Sequence, residues 1–168
     1  MDTKPAGNQA PLSTAPRKTW KDYTGWAAFV VTAGILIEQT YTHGSWMGWF
    51  LFSSGKSLAP IFDSQAHSIL YRVSYAYEIA SAAFFTLFPL AVLVLLFLRK
   101  KAVPGLLILF AAAALFSNIT AEVLYNALAV EMGGTVVVEL QSVLYAVIDV
   151  ALIAYYAMSK RFRALFIR

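Results

Sequence analysis

Four long apolar runs, separated by short polar breaks, organise the chain. The first covers residues 23–42 and opens with Gly25-Trp26-Ala27-Ala28-Phe29-Val30-Val31. The second covers 69–98 and ends in AVLVLLFL against Arg99-Lys100-Lys101. The third, 103–126, places Pro104 in its first turn, where a missing N–H is harmless. The fourth, 135–159, follows the Gly133-Gly134 break. Each run has about the 20 residues that a bilayer core requires of a helix, so the pattern predicts an all-α integral membrane protein, a bundle of four transmembrane helices. Pro89 inside the second run removes one backbone hydrogen bond and predicts a kink.

The breaks are equally informative. Residues 1–21 mix Pro, Ala, Ser and Thr without apolar periodicity and predict a disordered tail, leaving 22–168 as the membrane domain. No small-x-small cleavage signal follows the first run, which argues for a retained span over a signal peptide. Between the first two spans, Ser45-Trp46-Met47-Gly48-Trp49-Phe50-Leu51-Phe52 is too short and too aromatic to cross. This piece is expected to lie at the membrane–water interface, with Trp46 and Trp49 as anchors and Trp26 as a third.

Composition agrees: of 168 residues 60% are apolar and 13% charged, about half the charge of a soluble domain. Four spans leave no room for a soluble catalytic domain. The absence of cysteine excludes disulfides, thiolate metal sites and a cysteine nucleophile. No phosphate loop, dinucleotide fingerprint or nucleophile–base pair is present, so no cofactor, no catalytic residue and no nucleic-acid partner is expected.

Charge then orients the bundle. Eleven of the thirteen basic residues fall in the tail, in the turn Arg99-Lys100-Lys101 and in the C-terminal segment with Lys160, Arg161 and Arg163. These three segments share one predicted side, which places both termini in the cytoplasm. The same clusters, Lys160-Arg161-x-Arg163 above all, are candidates for contact with anionic lipid headgroups, the alternative being a simple stop-transfer signal.

The acids lie elsewhere. Seven of nine, Glu38, Asp63, Glu78, Glu122, Glu131, Glu139 and Asp149, lie in the spans or beyond them. At about 1.5 Å per residue, Glu38, Glu78, Glu122 and Glu139 form one layer about 24–31 Å from the basic side. Asp149 lies about 16 Å in, near the midplane, where an ionised carboxylate costs about 2.5–3.5 kcal/mol. Helical spacing adds polar partners: Asn118 one turn from Glu122, and Gln141, Tyr145 and Asp149 at steps of four. These residues form a candidate outward-facing acidic cavity for a cation, an amine or a proton. The structural alternative is that they are packing groups, Glu78 pairing with Arg72 and the other carboxyls bonding Asn, Gln and Tyr across helices. His43 and His67 lack the spacing of a metal site, and no metal is expected.

The tail YYAMSKRFRALFIR, with Tyr155 followed by Ser159-Lys160-Arg161 and Phe166, the turn RKKAVPGLLI, Glu78 early in the second span and Gly25-Trp26 opening the first resemble a known set. Over about residues 24–166 the chain is similar to a bacterial four-span inner-membrane family, domain of unknown function 2569. The resemblance implies four helices and a multi-pass place in the bacterial inner membrane, and no chemistry. The leading reading of the sequence is therefore a non-enzymatic accessory or interaction protein, partnered by membrane lipids, another membrane protein or a copy of itself. A cation, proton or amine transporter or binding protein is the alternative. Lipid or quinone binding at the interfacial aromatics is a further one.

Overall fold

The computed structural model describes residues 20–52, 58–62, 65 and 67–166. Six helices make up these residues, with no strand among them: α1 (Trp20–Phe52), α2 (Ala59–Phe62), α3 (Ile69–Phe97), α4 (Val103–Glu131), α5 (Leu140–Met158) and α6 (Lys160–Ala164). Of the expected tail, 1–19 lies outside the described residues, and Trp20 and Lys21 already belong to α1.

The helix ends follow local chemistry. Ser68 caps α3 by accepting the Tyr71 N–H at 3.1 Å. At its other end Arg99 adopts a left-handed φ of 52°, with Arg99 N–H on the Leu96 carbonyl and Lys100 N–H on the Leu95 carbonyl. That pair of bonds is a Schellman motif. The end of α4 repeats it: Gly133, φ 82°, and Gly134 donate to the Val130 and Ala129 carbonyls. Ser159 ends α5 in an extended conformation and caps α6, accepting the Phe162 N–H at 3.2 Å. Pro89 lies inside a continuous α3.

Three boundaries differ from expectation. The aromatic segment 45–52 is not a separate interfacial piece; it continues α1, because Gly44 and Gly48 keep helical geometry and no proline or cap interrupts the run. Conversely, α5 begins at Leu140 and not at Thr135. The β-branched Thr135-Val136-Val137-Val138 stays non-helical, held by the Val137 N–H on Asn126 Oδ1 at 2.7 Å. Finally, α4 runs to Glu131, five residues beyond the expected end.

α3, α4 and α5 are each long and apolar enough to cross a membrane. α1, at 33 residues, is about 50 Å long, but Glu38-Gln39-Thr40 interrupts its apolar run. α1 packs antiparallel along α3, as the ring contacts Phe29–Phe97, His43–Phe85 and Phe50–Tyr75 show. α4 then packs along α3, and α5 along α4. The buried core sits at one end of this row, where Phe29, Leu96, Val103, Tyr156, Phe162 and Phe166 meet. α6 folds back here onto α1, where a Cβ on Gly25 would touch the Arg161 carbonyl and Leu165 at 3.7 Å. The basic turn joins the same end, with the Arg99 guanidinium 4.9 Å above the Trp26 ring. Arg99, Lys100, Lys101, Lys160, Arg161 and Arg163 are all exposed there. The expected gathering of basic residues at one end holds for the turn and the C-terminal segment, while Lys4, Arg17, Lys18 and Arg168 lie outside the described residues.

Arg99 carries two opposing effects, since left-handed backbone costs a non-glycine residue about 1–2 kcal/mol and the contact with Trp26 returns about 0.5–1 kcal/mol. Arg99→Ala keeps the cost and loses the contact, whereas Arg99→Gly loses both. Thermal unfolding in one detergent should therefore rank Ala below wild type, and Gly above Ala by about 1 kcal/mol.

Candidate functional site

Starting at the core residues Leu36, Leu107, Phe110 and Tyr156, the row of helices leaves room. A cavity of about 480 Å³ lies among α1, α3, α4 and α5. Helical periodicity sets its walls: α5 contributes Tyr145, Ile148, Asp149, Leu152 and Tyr156, spaced by threes and fours, and α1 contributes Thr32, Leu36, Gln39 and His43 in the same rhythm. α4 supplies Leu107, Phe110, Ala114 and Asn118, and α3 supplies Phe85.

One end of the cavity is shut. Thr32 Oγ1 and Tyr156 Oη share a buried hydrogen bond at 3.1 Å between α1 and α5. Counting away from that tie, Glu38 lies six positions along α1 and Asp149 seven along α5, each about 9–10 Å up. The helices are antiparallel, so the two acids come to similar height on opposite walls. Asp149 is 9% exposed, and its Oδ2 accepts the Asn118 Nδ2–H at 2.9 Å. Glu38 is exposed, and its carboxylate accepts from Gln39 Nε2 at 2.9 Å and Thr42 Oγ1 at 3.1 Å. Asp149 is therefore an inner carboxyl and Glu38 one at the rim.

A second cavity, about 530 Å³, lies between the end of α4 and the start of α5 and shares Asn118 and Tyr145 with the first. Glu122 organises it. Its Oε2 accepts from Ser142 Oγ at 2.7 Å, and its Oε1 accepts from Asn126 Nδ2 at 3.1 Å and from the Glu139 N–H at 3.4 Å. Glu122 thereby ties the start of α5, whose first residues bring no side-chain cap of their own. Gln141 Nε2 donates to Tyr145 Oη at 2.8 Å along the same wall.

The expected acidic cavity is thus divided. Glu38, Asp149, Asn118 and Tyr145 share the first chamber, while Glu122, Glu139 and Gln141 line the second. Glu139 is no member of a span: it precedes α5 in extended conformation, and it is its backbone that bonds Glu122. Glu78 lines neither chamber. Arg72, its expected partner, donates Nε to the Ile61 carbonyl at 2.7 Å. Trp46 stacks on Phe50 at 5.2 Å within α1, and neither it nor Trp49 lines a chamber. His43 packs on Phe85 and His67 on Tyr71, and no group of three metal-ligating side chains forms among the described residues.

Sequence reasoning misses Thr32 and Ser142 as site residues, puts Tyr156 only on the face of Asp149, and weighs His43 only as a metal ligand. The stripe Thr32, Gln39, His43 at helical spacing carried a signal in α1. Nothing in the sequence pointed Tyr156 at Thr32, 124 positions away.

No curated protein and no solved structure matches the chain. The profile of the family described as protein of unknown function (DUF2569) matches residues 23–167, which takes in every helix from the apolar part of α1 to α6. The chain belongs to that family, domain of unknown function 2569.

Proposed function

We propose that this is a non-enzymatic, multi-pass protein of the bacterial cytoplasmic membrane, crossing four times with both termini inside, whose first chamber binds a cation, an amine or a proton and carries it toward the midplane. The observation that carries this reading is Asp149: a carboxyl nine-tenths buried, on a wall facing Glu38, in a chamber of about 480 Å³. A buried carboxyl at membrane depth is expensive and marks a ligand or proton path where it faces a cavity. Glu122 is different, because both its oxygens are occupied by protein donors.

For the topology, α1 is long enough to cross, and its polar residues Gln39 and His43 face the chamber and not lipid. The exposed basic residues at the opposite end favour the cytoplasm for that end. A second reading, an accessory subunit or self-associating protein, is favoured by α5, whose Leu140, Leu144, Val147, Ile148 and Val150 are exposed around most of the helix. Lipid tails cover such a surface equally well, so this reading ranks below the chamber.

Two outcomes are expected. Reporter fusions after residue 19, after Lys100 and after Arg168 should act as cytoplasmic, and one after Gly133 as external; a fusion at 19 on the external side would remove the fourth span. In proteoliposomes, Asp149→Asn should lower a cation- or pH-dependent flux at least tenfold while Glu78→Gln leaves it unchanged. Equal flux in wild type and Asp149→Asn would overturn the chamber reading, and a stoichiometric partner in mild-detergent purification would then favour the accessory one.

A further inference from the structure

Resting on the cation-binding reading, we infer that the first chamber takes an amphiphilic primary amine: an ammonium group against Asp149, with its hydrocarbon chain lying among the apolar walls below. Two features define this ligand, one polar and one apolar.

The polar feature is the incomplete partnering of Asp149. Asn118 occupies Oδ2, and Oδ1 has no hydrogen-bond partner among the described residues. An ammonium offers three N–H donors and a full positive charge to such an oxygen. The Tyr145 hydroxyl and the Asn118 amide line the same wall. A hard divalent ion fits this set poorly, since calcium takes six to eight oxygens and magnesium a near-ideal octahedron. No group of three metal-ligating side chains stands here.

The apolar feature lies between Asp149 and the Thr32–Tyr156 tie. Leu36, Leu107, Phe110 and Leu152 line that stretch, and the tie closes its far end. From Asp149 to Tyr156 is seven residues, about 10 Å of depth with no further charged group on the lining. An inorganic cation or a small ammonium ion would leave this stretch unfilled. A hydrocarbon chain fills it, and the length selects a chain of several methylenes. Exposed Glu38 lines the chamber at about the height of Asp149, so a cation entering from outside meets a carboxylate there first.

The test is equilibrium dialysis of tritiated n-octylammonium against the full chain in nanodiscs, with binding referred to the free aqueous amine and empty nanodiscs subtracted. Unlabelled n-propylammonium, n-octylammonium, tetramethylammonium, 1-octanol and sodium serve as competitors. Each buried methylene strengthens binding about threefold to fourfold, so octylammonium should compete at least tenfold better than propylammonium. Tetramethylammonium, which has no chain, and octanol, which has no charge, should each compete at least tenfold worse than octylammonium. Asp149→Asn should weaken octylammonium at least tenfold. Ala114→Phe, which narrows the apolar stretch without touching the carboxyl, should abolish the advantage of octyl over propyl, with helical content checked by circular dichroism in both variants. Glu78→Gln, outside the chamber, should change nothing. If sodium, tetramethylammonium or propylammonium matched octylammonium in an Asp149-dependent manner, the amphiphile would be excluded and cation binding would stand. If no cation showed saturable binding that depends on Asp149, both proposals would fall.

Discussion

One buried hydrogen bond, between the hydroxyls of Thr32 and Tyr156, joins the first and last long helices of a chain whose long helices otherwise pack mainly as neighbours in a row. α1 lies on α3, α3 on α4 and α4 on α5, and a row of this kind has no reason to close. The hydroxyl pair supplies one, because leaving either group unpaired in an apolar interior costs about 1–3 kcal/mol. Phe162 of α6, tilted against Tyr156, and Phe166 just beyond that helix, stacked on Phe29, reinforce it. α1 and α5 are therefore tied near the basic end, and beyond that tie the chamber lies between them.

The polar residues divide along the same line. In hydrocarbon every buried polar group needs a partner, so polar residues alone do not distinguish packing from function. The number of partners does. Glu122 holds Ser142, Asn126 and a backbone N–H, and its energetic role is to fasten the extended segment before α5 to the end of α4. Asp149 holds Asn118 alone and borders open volume. Glu122 thus fits the packing interpretation of the acids, and the proposed binding rests on Asp149.

What could be read from the sequence was what one helix knows about itself. Residues 69–98 and the start at Val103 were legible because long apolar runs stop against Arg99-Lys100-Lys101, and the charged turn and tail were legible as one end. The continuation of α1 through Trp46 and Trp49 was not, since aromatic density signals an interface as readily as a helix. The delayed start of α5 was hidden in Thr135-Val136-Val137-Val138, which is as apolar as a span but β-branched and fastened by Asn126. Asn118 illustrates the limit. Periodicity put it on the face of Glu122, whereas the facing helix brings Asp149 to it, and no intrahelical pattern encodes which face of α4 meets which face of α5.

The weakest apolar run turns out to be the informative one. α1 falls short of its neighbours in hydropathy because Glu38, Gln39, Thr42 and His43 stand in its second half. A helix with these groups on one side is unsuited to face lipid there, and the side that packs on α3 is taken by Gly44 against Thr86 and by Phe50 against Tyr75. Glu38, Gln39 and Thr42 line the chamber with Asp149 of α5, and His43 lines it beside Phe85 of α3. The same residues that set α1 apart from the more apolar α3, α4 and α5 thus supply polar lining to the chamber, opposite Asp149.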